Sequence, residues 1–265
     1  MSCGTSGSSN EAVATRQSGH SLPLTGERTL PGVEHENYWF RRHEAAYREV
    51  AALAIRAGFR TVLDAGCGEG YGAAMLARAV PEVAAVDLDA PSITYAAWAY
   101  PSVRAVRANL VDLPFASGCL DAVVSLQVIE HQWDVGAYLD EIARVLRPGG
   151  AFLCTTPNRL TFSPGCAVPV NPFHTVEFTA SELASWLGTW FHVDAVGGLW
   201  HGARLAAWEA RMDASLPSRL RHEPWPNWLA TLVADVAADD FTVSWPADLG
   251  ELDRCLDLFA IGWQR

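Results

Sequence analysis

A glycine-rich run is the strongest chemical signal in the sequence: Asp-Ala-Gly-Cys-Gly-Glu-Gly-Tyr-Gly, beginning at Asp64. It follows a short apolar run and precedes a segment with helical spacing. Its alternating glycines are Gly66, Gly68 and Gly70. Glycine lets the backbone approach a ligand that side chains would block. The dinucleotide fingerprint G-x-G-x-x-G would need glycine where the chain has Tyr71, so a dinucleotide oxidoreductase fits less well.

Two histidines are candidates for proton transfer. His131 follows one predicted strand, and His174 lies in the Pro-rich loop after the next. Open α/β sheets place their ligands at this carboxyl edge. An unperturbed imidazole pKa of about 6.5 suits proton transfer near neutral pH. Glu130, beside His131, is a third catalytic candidate. In the alternative interpretation, Glu130 and His131 only shape a pocket, and His174 makes a loop hydrogen bond.

A metal ion is a second use for the same region. The side chains that could bind Mg²⁺ or Mn²⁺ are Glu130, His131, Asp134, His174 and Glu177. No spacing among them requires a metal, so Mg²⁺ is only a possible cofactor. His43, on the N-terminal helix, is interpreted as a partly buried helix residue.

The elements that must position these residues alternate between strands and helices. Strands are predicted at 61–64, 83–86, 103–106, 120–126, 151–155, 191–196 and 256–263. Helices are predicted at 71–79, 91–99, 134–146 and 180–188. The alternation predicts a Rossmann-like, doubly wound α/β fold, with a mostly parallel seven-stranded sheet and helices on both faces.

The flanking segments are predicted to cover this sheet. Helical spacing runs from Asn37, a plausible N-cap, to Arg56. Residues 200–250 are irregular, with helices expected near 203–214 and 226–237. We therefore predict a single domain over 25–265, with lid elements at about 25–56 and 200–250. Residues 1–24, rich in Ser, Gly and Thr, are predicted to be a disordered tail.

Composition excludes several classes of protein. Half of the 265 residues are hydrophobic, which supplies a sizeable core. No apolar run approaches the roughly 20 residues of a membrane helix. The net charge of -11 argues against a nucleic-acid partner. The six Cys form no C-x-x-C pair and no signal peptide is evident, so we expect reduced thiols and a cytoplasmic location.

Four segments together resemble class I S-adenosylmethionine (SAM)-dependent methyltransferases. The glycine turn resembles motif I of that family. The others are Asp87-Leu88, Ala108-Asn109-Leu110 and the run from Ser125 to His131, followed by the turn Arg147-Pro148-Gly149-Gly150. They occur in the family's order over about residues 60–156. The resemblance implies a methyltransferase whose cofactor is SAM.

The same resemblance implies roles for the acids near the glycine turn. Asp64 would serve the methionyl ammonium, directly or through water. Asp87 would accept hydrogen bonds from both ribose hydroxyls. Leu88 would flank the adenine. Asp87 has an alternative role as the cap of the following helix.

Further along, the resemblance places Asn109 and Leu110 at the adenine edge. The family usually has Asp where this chain has Asn109, whose carbonyl could make the same contact. Asn in a loop is also a common turn residue. Gln127, in the segment resembling motif IV, is assigned to the cofactor pocket.

A narrower resemblance extends to the flanks. The segments are Thr25 to Arg28, Glu36 to His43, Val128 to His131, Thr156 to Arg159 and Asn171 to His174. They resemble actinobacterial methyltransferases associated with polymethylated polysaccharides. This implies a small carbohydrate acceptor of the mannose or glucose type, methylated at a hydroxyl by in-line displacement with His-assisted deprotonation. A homodimer is expected only as the commonest closed assembly.

Two alternatives stay open beside the sugar acceptor. One is C- or O-methylation of a quinone or polyketide-like aromatic. The other is a SAM-binding partner subunit without transfer activity. Trp225 and Trp228 lie among prolines on the predicted lid, where their faces would suit either sugar rings or flat aromatics.

Overall fold

The computed structural model describes residues 29–221 and 224–265. The tail predicted at 1–24 lies outside the described residues, as does the segment Thr25-Gly26-Glu27-Arg28.

Strands and helices alternate through the first two thirds of the described chain. The strands are β1 (Thr61–Ala65), β2 (Glu82–Asp87), β3 (Arg104–Arg107), β4 (Leu120–Leu126), β5 (Leu146–Pro157), β6 (Phe191–His201), β7 (Phe241–Ser244) and β8 (Asp257–Gln264). The helices are α1 (Asn37–Ala57), α2 (Tyr71–Leu76), α3 (Ala90–Ala99), α4 (Val135–Val145), α5 (Arg159–Phe162), α6 (Ala180–Leu187), α7 (Ala203–Glu209), α8 (Leu216–Leu220) and α9 (Asn227–Ala234). Short 3-10 helices span Glu34–Glu36, Ile129–His131, Ala238–Asp240 and Leu249–Arg254.

The strands form a single mixed sheet in the order β3-β2-β1-β4-β5-β8-β6-β7. The first five are parallel, whereas β8 runs antiparallel to β5 and β6, and β7 antiparallel to β6. The Rossmann-like fold is confirmed, but the predicted number of seven strands is wrong, because the sheet has eight strands within the described residues. The added strand, β7, is four residues long and lies at the sheet edge, within the segment predicted to be irregular. A strand this short carries too little alternation to be recognised.

Helices cover both faces of the sheet, because the central strands carry apolar side chains on both faces. In β1, Val62 packs into the core shared with α1 and α2, while Leu63 packs into the core shared with α4 and α6. Successive strand residues point to opposite faces, so a strand buried on both sides is apolar throughout. The carboxyl ends of β1, β2, β4 and β5 consequently meet at one edge of a rigid sheet.

The start of helix α1 is hydrogen-bonded to the end of α9, in the segment that precedes the edge strand β7. The predicted N-cap role of Asn37 is wrong, because Asn37 is the first helical residue and Glu36 occupies the cap position. The Asn37 amide instead donates to the carbonyls of Val233 and Val236, each at 2.9 Å, at the end of α9. Unsatisfied carbonyls at a helix end need such donors.

Two other boundaries differ from the prediction. The Arg147–Gly150 turn lies within β5, where it breaks the register between β4 and β5. The helices expected near 203–214 and 226–237 are three shorter ones, α7, α8 and α9. Ser215 caps α8 and Pro226 occupies the cap position of α9, so each helix starts anew.

No helix in the described ranges is both long and apolar enough to cross a lipid bilayer.

Candidate functional site

Two adjoining cavities open at the carboxyl edge of the sheet. The first, of about 560 Å³, is lined by the glycine turn and by residues after β2, β3 and β4. The second, of about 780 Å³, lies between α1, the loop after β5, and α8. Four residues line both: Thr29, His43, Gln127 and His131. This shared boundary is called the junction below.

The glycine turn is closely fitted to the strands beside it. Backbone N–H groups of Gly66 and Cys67 donate to the carbonyl of Val86, at 2.8 and 3.0 Å. Gly66 has φ +84°, and a Cβ added there would lie 2.5 Å from a methyl carbon of Val128. Both the conformation and the space therefore require glycine. The turn forms the floor of the first cavity.

Asp87 connects the end of β2 to this turn. Its two carboxylate oxygens accept hydrogen bonds from the backbone N–H groups of Gly68 and Asp89, each at 2.9 Å. The alternative role as a helix cap is wrong, because Asp89 caps α3 by accepting from Ser92. An ionised carboxylate has about four acceptor positions, so Asp87 can accept from a ligand in the cavity as well.

Asp64 lies behind the cavity wall. It is fully buried, and the Tyr47 hydroxyl lies 3.2 Å from both of its carboxylate oxygens. Tyr47 lines the first cavity, whereas Asp64 is not among the lining residues. Burial raises the pKa of Asp64 to about 7. Asp64 therefore faces the cavity through Tyr47, which the sequence did not indicate.

The predicted adenine-contacting residues surround the far end of this cavity. Leu88 is 60% exposed and Leu110 is buried, and both line it, as does Asn109. The Asn109 side-chain oxygen accepts from the N–H of Val111 at 3.3 Å, so the predicted turn role is also present.

Gln127 directly follows β4 and has a left-handed conformation, with φ +58°. Among the described residues it is the one non-glycine with positive φ. Its side-chain amide donates to the Thr155 hydroxyl at 3.1 Å, and its backbone N–H donates to the Thr155 carbonyl at 2.9 Å. A non-glycine residue held in this region costs about 1–3 kcal/mol and is concentrated at functional sites.

The loop after β5 brings His174 to His131. The Thr175 N–H donates to the Glu130 carbonyl at 2.7 Å, and its hydroxyl donates to the Gln132 carbonyl at 2.7 Å. The two imidazole centroids are consequently 4.9 Å apart. The structure thus joins the two predicted proton-transfer residues at one place.

Each imidazole is oriented by an acceptor. His131 Nδ1 lies 3.1 Å from the Phe173 carbonyl, which fixes the neutral tautomer with its proton on Nδ1 and its lone pair on Nε2. Burial lowers the pKa of His131. His174 Nδ1 lies 2.7 Å from the Glu177 carboxylate. A carboxylate partner on Nδ1 fixes the orientation of the ring.

Glu130 lies close to the two imidazoles and is 1% exposed. One carboxylate oxygen, Oε2, accepts from the Thr156 hydroxyl at 3.0 Å, while Oε1 has no hydrogen-bond partner within the described ranges. Burial raises the pKa of Glu130 to about 8.

The predicted metal-binding residues are only partly assembled. One ligand atom each from Glu130, His131 and His174 lies within 4.8 Å of the other two. Glu177 joins this group through His174. Asp134 does not join it, because its carboxylate caps α4 by accepting from the Ala137 N–H at 2.9 Å.

His43 is a partly buried residue of α1, as expected, and it also lies at the junction. Its Nδ1 is 3.0 Å from the Tyr71 hydroxyl, and burial lowers its pKa to about 4. His43 is therefore neutral near pH 7.

The second cavity combines aromatic and charged side chains. Trp39, Phe162 and Phe173 line it. The guanidinium of Arg221 lies over the Phe162 ring, 4.0 Å from its centroid. Arg42 is held by the buried carboxylate of Asp257 and by the Leu256 carbonyl. The sequence did not indicate these residues, although Arg42 adjoins His43 in the chain and Trp39 lies four residues before it.

The Trp lid predicted from the sequence is not confirmed. Neither Trp225 nor Trp228 lines the two cavities. The Trp225 indole N–H donates to the Leu220 carbonyl, and Trp228 stacks on Trp208. Among the described residues of the lid predicted at 200–250, those that line the second cavity are Ser218, Leu220 and Arg221.

The fold and the first cavity define a Rossmann-like methyltransferase architecture. A solved Thermotoga maritima structure, a SAM-dependent methyltransferase described as a possible histamine N-methyltransferase, matches with a TM-score of 0.56. At 15% identity, the match covers 86% of this chain and 94% of that one, and it shows the fold. A family model for a methyltransferase domain matches residues 63–154.

Two mycobacterial relatives show the family to which the chain belongs. Both are described as probable S-adenosylmethionine-dependent methyltransferases. The one from Mycolicibacterium smegmatis is 47% identical over 247 residues, covering 91% of this chain and 95% of that protein. The one from Mycobacterium tuberculosis is 45% identical over 258 residues, covering 95% and 93%. The chain belongs to the class I SAM-dependent methyltransferases, and its cofactor is SAM.

Proposed function

We propose that this enzyme transfers the methyl group of SAM to a hydroxyl of a sugar or oligosaccharide of the mannose or glucose type. The observation that carries the proposal is the second cavity, about 780 Å³ in volume, which meets the cofactor cavity at His131. An acceptor in one cavity and a methyl donor in the other would face each other at the junction.

The first cavity suits each part of SAM. Asp87, at the end of β2, would accept from the ribose hydroxyls, and Leu88 and Leu110 would flank the adenine. Asp64 would attract the methionyl ammonium through the Tyr47 hydroxyl between them. Gln127, fixed to β5, would stay in place at the sulfonium end.

The junction supplies what an alcohol acceptor needs. An aliphatic hydroxyl is a poor nucleophile at neutral pH and requires a base or a metal ion. Neutral His131 offers the Nε2 lone pair, and burial keeps its pKa below the usual value. During in-line displacement the sulfur–methyl bond breaks and the oxygen–methyl bond forms. The hydroxyl proton passes to the imidazole, and S-adenosylhomocysteine leaves.

The walls of the second cavity favour a carbohydrate. Trp39, Phe162 and Phe173 offer apolar faces for the C–H faces of sugar rings. Glu36, Asn171 and Arg221 supply polar groups for ring hydroxyls. This mixture of stacking faces and hydrogen-bonding groups supports a sugar more than a purely apolar ring.

The test is release of S-adenosylhomocysteine over a panel of mannosides, glucosides and aromatic diols. We expect turnover confined to a sugar and a loss of at least about 100-fold in His131→Ala with SAM affinity retained. His192→Ala, on the exposed face of β6, is the matched control. Turnover of a diol alone would replace the sugar by the aromatic acceptor. SAM binding without any turnover would favour the partner-subunit alternative.

A homodimer and a cytoplasmic location stay predictions. The first can be measured by light scattering on the same preparations.

A further inference from the structure

We propose that Glu130, His131 and His174 bind one divalent first-row transition ion, such as Mn²⁺, Fe²⁺, Co²⁺ or Zn²⁺, at the floor of the second cavity. The ion's chemical role rests on the proposed function, whereas its binding does not.

The donor set determines the class of ion. Two imidazoles and one carboxylate, from His131, His174 and Glu130, converge within 4.8 Å. Imidazole suits Fe, Co and Zn, and a carboxylate is accepted by all of these ions. Mg²⁺ prefers an octahedron of oxygens, so the Mg²⁺ considered from the sequence fits this set poorly.

Each donor also has the supporting partner that metal ligands have in proteins. His131 Nδ1 faces the Phe173 carbonyl, which leaves Nε2 as the nitrogen that can bind a metal ion. His174 Nδ1 faces the Glu177 carboxylate at 2.7 Å, the carboxylate–histidine arrangement typical of metal sites. On Glu130, the Thr156 hydroxyl donates to Oε2.

Glu130 Oε1 is a second, independent indication of a ligand. It is buried with no hydrogen-bond partner in the described part of the chain, and Glu130 lines the second cavity. A buried carboxylate oxygen is costly when nothing is bound to it. A cation between this oxygen and the two rings would satisfy it.

The position gives such an ion a role in the transfer. Three protein ligands leave coordination positions for water or substrate. An acceptor hydroxyl in an open position would lie at the junction, beside the methyl group. With the ion bound, His131 is a ligand, the ion lowers the pKa of the hydroxyl, and the proton leaves to water.

The test uses Co²⁺ as a spectroscopic probe on the full chain after treatment with a chelator. We expect saturable visible absorption at one Co²⁺ per chain, displaced by Zn²⁺. Glu130→Gln and His174→Ala should each lose at least tenfold in Co²⁺ affinity, and Glu177→Gln about 10–100-fold through the His174 contact. His192→Ala should bind Co²⁺ like the wild type. SAM binding by each variant checks its folding.

The outcomes separate this inference from the proposed function. Absence of saturable Co²⁺ binding, or equal affinity in Glu130→Gln and wild type, would overturn the site and leave His131 as the base. Specific Co²⁺ binding without methylation of any sugar would keep the site and overturn the sugar acceptor. Sugar turnover lost in chelator and restored by Mn²⁺ or Co²⁺ would support both.

Discussion

The Tyr47 hydroxyl lies 3.2 Å from each carboxylate oxygen of Asp64, beneath the glycine turn. Tyr47 comes from α1 and Asp64 from β1, so the helix that covers the cofactor cavity also encloses its innermost acid. The cavity wall is complete only when α1 is docked. We therefore expect cofactor affinity to depend on the charge of a group that the cofactor does not touch directly.

The first prediction concerns the pH dependence of SAM affinity. Burial raises the pKa of Asp64 to about 7, so the carboxyl is largely neutral at pH 5.5 and ionised at pH 7.5. Affinity should rise as pH rises through about 7, until the cofactor's own amino group loses its proton near about 8. Isothermal titration calorimetry from pH 5.5 to 8.5 measures it. Asp64→Asn should abolish the rise near pH 7, and an unchanged profile would refute the role of Asp64.

The second prediction concerns Gly66. An alanine there combines left-handed strain of about 1–2 kcal/mol with overpacking against Val128 of about 1–3 kcal/mol. Gly66→Ala should lower the free energy of unfolding by their sum and abolish SAM binding. Gly149→Ala is a matched control, since Gly149 has φ +71° but no atom within 4 Å of an added Cβ. Gly149→Ala should lower the free energy of unfolding by the left-handed strain alone. Urea unfolding measures both variants. If Gly66→Ala and Gly149→Ala lost the same free energy of unfolding, the contact between the added methyl group and Val128 would have been relieved.

The third prediction concerns the buried ion pair between Arg42 and Asp257. Arg42 joins α1 to β8, and both side chains are nearly inaccessible. Arg42→Met should lower the free energy of unfolding by about 3–5 kcal/mol, because it leaves a buried carboxylate unpaired. The double variant Arg42→Met with Asp257→Leu should recover much of this loss. Arg48→Met, which breaks exposed pairs, should cost under about 1 kcal/mol. No recovery in the double variant would indicate that packing, not charge, dominates.

The sequence predicted the cofactor side of the site well, because its signals are local. A glycine turn between a strand and a helix occupies neighbouring residues, and Asp87 follows its strand directly. The seven predicted strands all exist, since short apolar runs bounded by turn residues indicate strands. Only β7, a short edge strand, lacked such a run.

The acceptor side could not be predicted in the same way, because it depends on contacts between distant segments. Trp39 and Arg221 meet around one cavity although they are far apart in the chain. Tryptophans among prolines looked equally suited to a lid, but Trp228 stacks on Trp208. Residue type gave the chemistry, and only the packing of α1 and of the segment after β5 decided which aromatic side chains line the second cavity.

The last prediction tests that choice of aromatic residues. Trp39 lines the second cavity, so Trp39→Ala should remove a stacking face from a sugar acceptor and raise its KM. Stacking contacts of this kind contribute about 0.5–1.5 kcal/mol beyond area burial, so we expect a rise of roughly 3–10-fold or more. SAM affinity should stay unchanged, because Trp39 does not line the first cavity.

Trp228→Ala, 43% exposed and outside both cavities, is the matched control and should leave both constants unchanged. An equal rise in KM for both variants would mean that the acceptor binds elsewhere, over α9. A change in SAM affinity alone would assign Trp39 to docking of α1 instead of acceptor recognition.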